Sequence, residues 1–147
     1  MRRPKILVVC ITMCALWAQI WPTHLAAECI TLPPCEALRQ ASVVFIADVL
    51  EAGPFRREIS PTSYGPAPQP VRFAVIERFK GIPADHQDIA TNIAFSSAET
   101  VFVTAGVRYL VYARTRQDGN WDTSCSRTKP AAEAISELSE LRQCRIP

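Results

Sequence analysis

Apolar and polar residues alternate along most of the middle of this chain, and the alternation has the period of a strand. In Ser42–Glu51, Val43, Phe45, Ala47 and Val49 fall on one side. Val71–Lys80 repeats the pattern with Val71, Phe73 and Val75. Asp88–Phe95 does so with Ile89, Thr91 and Ile93, and Val107–Arg114 sets Tyr109, Val111 and Ala113 against Leu110 and Tyr112. Asp118-Gly119 is a hairpin signal and leads into a fifth strand, Trp121–Cys125. Two stretches carry a helical pattern instead. Cys35–Ala41 holds good helix formers over about two turns. After Thr128, a candidate N-cap, and Pro130, the residues Ala134, Ile135, Leu138 and Leu141 form an apolar stripe. Cys144 prolongs that stripe by one i+3 step. Between the first two strands, Gly53–Pro70 carries Pro54, Pro61, Pro66, Pro68 and Pro70, a density that excludes helix and central strand and leaves a long exposed loop.

Five short strands with helical pieces at both ends predict an all-β, OB-fold-like Greek-key barrel with a C-terminal helix. A β-sandwich, the alternative, ordinarily has about seven strands. The expected core is Val43, Phe45, Phe73, Val75, Ile93, Leu110, Val111 and Leu138.

The first residues follow a different pattern. Arg2, Arg3 and Lys5 precede an apolar run, Ile6–Leu16, and Leu25-Ala26-Ala27 closes it with small residues. This is the order of a secretory signal, and the run is too short to span a bilayer, which takes ~20 residues. Residues 1–27 are therefore expected to be removed, leaving 28–147 as one domain with no membrane span, in an extracellular or periplasmic location. The removal also changes the charge. Of the 16 basic residues, 13 remain against 14 acidic ones, so the net basicity belongs to the leader and nothing points to nucleic acid.

Cys10 and Cys14 leave with the leader, and Cys29, Cys35, Cys125 and Cys144 remain. An even set in an exported chain reads as disulfides, and four cysteines permit three pairings. Their spacing lacks the close pairs of a zinc site, so no metal or other cofactor is expected. His86 is the one histidine left and sits in a polar A-D-H-Q-D turn. No nucleophile–base set accompanies it, and an enzyme is not expected. Glu137 and Glu140 read as a solvated helix face, Arg78 and Lys80 as the wet side of their strand, and Trp121 as core or barrel rim.

The order of several segments resembles the netrin-like modules, among them the tissue inhibitors of metalloproteinases and their bacterial relatives. Ala41–Val49 is similar to the family's first strand and Phe79-Lys80-Gly81 to the end of its second. Ser96-Ser97-Ala98 resembles the connecting loop used for protease contact. Gly106–Ala113 looks like the family's G-x-x-Y-L-V-Y-A strand, and Ser124–Thr128 like the C-S-R-T segment of bacterial members. The resemblance implies an OB-like barrel, the bridges Cys29–Cys125 and Cys35–Cys144, and a contact ridge. That ridge comprises Glu28, Cys29, Ile30 and Thr31 with Ser96, Ser97, Ala98 and Glu99, flanked by the Gly53–Pro70 loop. It also implies a protein partner, with a secreted zinc metalloprotease as the sharpest case.

The sequence departs from the animal inhibitors at one bridge. Cys29 stands at the distance of their second cysteine, Ala27 falls where the zinc-chelating first one would be, and its partner's place is near Thr100. The expectation is therefore a secreted, non-catalytic protein-binding module. A structural or interaction domain with no protease target, and a small secreted enzyme, are the alternatives. N-terminal sequencing of exported protein should return Glu28 first; recovery of Met1 on membrane-bound material would contradict the cleavage after Ala27.

Overall fold

A computed structural model describes residues 29–54, 59–60, 63–64, 67–94 and 99–144. The expected leader, Glu28, and Ser96, Ser97 and Ala98 lie outside them. Strand β1 (Val43–Ala52) is the element on which the others assemble, because it is apolar on both faces. Its odd-numbered residues Val43, Phe45, Ala47 and Val49 are buried inside a barrel. Val44 and Ile46 point the other way, into a second apolar cluster under the helices.

The other elements in chain order are α1 (Pro34–Gln40), the short strands β2 (Ile59–Ser60) and β3 (Ser63–Tyr64), β4 (Gln69–Lys80), β5 (Asp88–Ala94), β6 (Arg108–Thr115), β7 (Trp121–Asp122), β8 (Lys129–Pro130), a single 3-10 turn (Ala131–Glu133) and α2 (Ile135–Leu141). The barrel runs β1-β4-β5-β7-β6 and closes where β6 returns to pair with β1. β5 and β7 run parallel, whereas the other barrel pairs run antiparallel. β8 adds an extra strand beside β6. This is the expected five-stranded, OB-like closed barrel with a C-terminal helix, and closure removes the exposed sheet edges that an open β structure would carry.

Phe45, Phe73 and Trp121 form the centre of the barrel. Phe45 meets Phe73 edge-on with ring centroids 5.4 Å apart, and Trp121 lies 5.6 Å from Phe45. The expected core is largely found, but it belongs to two clusters. Val111 faces the barrel, while Leu110 lies in the outer cluster with Leu38, Tyr112 and Leu141. Val75 and Leu138 pack against these clusters and are only partly buried.

The segment Phe79-Lys80-Gly81 joins the two layers. Phe79 packs against the outer cluster. Lys80 is not on a wet face: its Nζ donates to the Leu38 and Arg39 carbonyls at 3.1 and 2.6 Å, satisfying acceptors at the end of α1. Arg78 is likewise half-buried and donates to the His86 carbonyl. Gly81 has φ +72°, and a Cβ there would lie 2.2 Å from the Ser42 carbonyl, so only glycine fits.

Four further expectations need correction. β4 begins at Gln69 and runs through Pro70, inside the loop expected to hold no central strand. Pro70 supplies no N–H, but its carbonyl accepts from Gly53 N–H at 2.8 Å, and the buried Gln69 amide bonds to Gly53 and to both backbone groups of Val103. A short β2–β3 pair also lies within that loop. The fifth strand stops at Asp122 because the Asp122 carboxylate accepts the Ser124 N–H at 2.7 Å and turns the chain. Thr128 caps no helix; its hydroxyl donates to Tyr112 C=O at 2.8 Å and accepts Tyr112 N–H at 2.9 Å, standing in for a strand partner. α2 starts later, at Ile135, and turns that residue outward at 74% exposure.

Truncating the central ring is the direct test of this core. Phe45→Ala should lower stability by about 3–5 kcal/mol in a denaturant titration, because the ring is fully buried against two other aromatics. A variant as stable as the parent would mean that β1 turns its other face inward.

Candidate contact site at the N-terminal segment

The chain enters the fold through a stiff, extended segment. Pro33 and Pro34 set its direction, and Pro34 opens α1 at a position where no N–H is needed. The Pro33 carbonyl accepts the Glu36 and Ala37 N–H groups at 3.1 and 2.9 Å, so the helix starts directly from the segment. Two disulfides fix it. Cys35 in α1 joins Cys144 beyond α2, with 5.5 Å between Cα atoms, and Cys29 joins Cys125 beyond β7, with 5.1 Å. Both are the pairs that the resemblance implied. Cys125 takes φ +51°, a left-handed conformation at the turn after β7.

Between those anchors the segment turns outward. Ile30 is 80% exposed and Thr31 is exposed, while Leu32 packs back against the outer cluster. A groove of about 280 Å³ runs beside them, lined by Ile30, Leu32, Ala41, Tyr112, Arg114 and Arg127 among others.

Of the expected ridge, the described residues are Cys29, Ile30, Thr31 and Glu99. The Glu99 carboxylate and the sulfurs of Cys29 and Cys125 lie within 4.8 Å of one another. The connection after β5 therefore ends against the N-terminal disulfide. It is held there by a hydrogen bond between the Thr100 and Ser124 hydroxyls and by Thr123, which donates to the Val101 carbonyl at 2.8 Å. The trio is not a metal centre, because sulfurs joined to each other offer no thiolate.

The sequence reading missed the charges beneath the segment. Glu137 is not on a solvated face; its side chain is 4% exposed. Arg127 donates to it twice, at 2.5 and 2.9 Å, Tyr112 at 2.9 Å, and Lys129 pairs with it at 2.7 Å. Arg127 also donates to the Leu32 carbonyl at 2.7 Å. Burial pushes the Glu137 carboxyl up, but the hydrogen bonds from Arg127, Lys129 and Tyr112 outweigh it and hold the group below its ordinary value. Burial, reinforced by Glu137, pushes the Tyr112 hydroxyl up. Glu140, its expected companion on the solvated face, is exposed. His86 lies in an exposed turn 3.0 Å from Asp85, far in sequence from these groups.

The sign of the pH effect follows from the Glu137 shift. A carboxyl depressed in the folded state stabilises above its unfolded pKa, near 4.3, and loses that contribution as pH falls through the folded value. Glu137→Gln should cost roughly 1–3 kcal/mol at pH 7 and much less at the acid end of the folded range. Unfolding titrations of both proteins across that range measure the difference; a gap that does not narrow with acidification would contradict the assignment.

No family model and no curated protein matches the chain.

Proposed function

We propose that this protein is an exported, non-catalytic module of the netrin-like type that binds a protein partner through its N-terminal segment, with secreted zinc metalloendopeptidases as the partner class. It works outside the cell or in the periplasm and uses no cofactor or metal of its own. The observation that carries the reading is the exposed Ile30–Thr31 stretch held in place by the Cys29–Cys125 bridge, with Glu99 alongside. An exposed branched aliphatic side chain on a pinned backbone loses little freedom on binding, which is what a contact residue needs.

Further support comes from the disulfides, which suit an oxidising compartment. No helix among the described residues is long and apolar enough to cross a membrane. One observation favours a partner other than a protease. Thr100 bonds to Ser124, and no cysteine is present to fix a first residue over a zinc ion. The segment can then serve as a protein contact without zinc chelation.

The mature protein, tested against a panel of secreted zinc metalloendopeptidases, should inhibit at least one of them. If the N-terminus reaches the protease zinc, placing one extra alanine before Glu28 should abolish that inhibition with no change in melting temperature. Ile30→Arg should weaken binding by about tenfold or more if this side chain is central to the contact. Absence of inhibition across the panel removes the protease reading. Retention of a partner by Ile30→Arg at parental affinity removes the segment as the contact surface.

A further inference from the structure

The N-terminal segment is held at a point beyond its disulfides, and that point is a charged side chain. Arg127 lies two residues after Cys125, in the turn leading to β8. Its side chain is 19% exposed, and its guanidinium reaches in two directions. Nε and Nη2 grip the Glu137 carboxylate, while Nη1 donates to the Leu32 carbonyl at 2.7 Å. Glu137 is in turn fixed by Tyr112 on β6 and Lys129 on β8. A carboxylate on α2, itself fixed by β6 and β8, therefore orients a guanidinium, and the guanidinium holds the backbone of the incoming segment.

We propose that Arg127, oriented by Glu137, is a positioning residue that fixes the Ile30–Thr31 tip in one conformation for its partner. This rests on the reading of the N-terminal segment as the contact surface and adds the device that sets its geometry. Cys29 anchors one side of the tip and the Leu32 carbonyl anchors the other, so Ile30 and Thr31 span a short arch between fixed points. Leu32 packing and the Pro33-Pro34 pair hold the chain beyond the tip, and the Arg127 hydrogen bond adds a fixed direction for the Leu32 carbonyl. A planar fork can hold a carboxylate and a carbonyl together in fixed directions, whereas an ammonium is a point charge.

Arg127→Lys separates this role from simple charge balance. Backbone order parameters from ¹⁵N relaxation on the free, oxidised protein give the readout. In the parent, Ile30 and Thr31 should be near the rigid value of ~0.85 and, in Arg127→Lys, below ~0.6, with Phe45–Val49 unchanged. Glu137→Gln, which keeps the side-chain shape, should loosen the same two residues. A rigid tip in Arg127→Lys would overturn the proposal, since a counter-charge alone would then suffice. So would a tip already mobile in the parent, or one left rigid by Glu137→Gln. These values need no partner, so they stand apart from the binding experiments. A rigid tip that binds nothing would count against the function and leave the positioning role intact.

Discussion

The bridge between Cys29 and Cys125 joins residues 96 apart in sequence, and the position of the N-terminal segment depends on it. Without it Cys29, Ile30 and Thr31 would be a short strip attached only through Leu32 and α1. With it, that strip lies against the end of β7 beside Glu99. A loop of about this length carries up to ~4.7 kcal/mol of closure entropy in the unfolded chain, so each bridge also contributes to folding. The second bridge, over 109 residues, holds α1 to the end of α2. The first and last described segments are thereby fixed to the body of the fold.

The outside of the barrel is built differently from its interior. Inside, aromatic and branched side chains of alternating strand positions fill the space around Phe45. Outside, Val44, Ile46, Leu110 and Tyr112 meet Leu38 and Leu141 from the two helices. Tyr112 is where this apolar layer meets the charged one. Its ring lies in the outer cluster and its hydroxyl donates to Glu137. From Glu137 the contacts run to Arg127 and on to the Leu32 carbonyl. The barrel wall, the C-terminal helix and the exposed tip are thus joined by consecutive hydrogen bonds, each with a charged or buried partner.

The barrel was legible in the sequence because strand alternation is a local signal. β1, β4, β5 and β6 fall close to where Val43, Phe73, Ile93 and Val111 place them. The double-sided burial of β1 and β6 was less legible. An unbroken run such as Val43-Val44-Phe45-Ile46 marks burial on both faces but does not say that two different clusters receive it. Gln69 and Pro70 were hidden by a proline rule that holds for an unassisted strand; here Gly53 and the Gln69 amide satisfy the neighbouring groups. Glu137 was the least legible residue. Its partners Lys129, Arg127 and Tyr112 lie outside its own helix, and a single helix face gives no sign that they converge there. The disulfide pairing came from family resemblance, since spacing alone leaves three possibilities.

The central claim is that the pinned tip, and not another exposed apolar residue, meets the partner. Three isoleucines exposed among the described residues allow this to be measured within one sample. Ile30, Ile76 and Ile135 are 80%, 46% and 74% exposed. Methyl cross-saturation from an unlabelled, bound partner reads all of them at once. The account predicts strong transfer to the Ile30 methyls and little to Ile76 or Ile135. Transfer to Ile135 or Ile76 with Ile30 unaffected would contradict it.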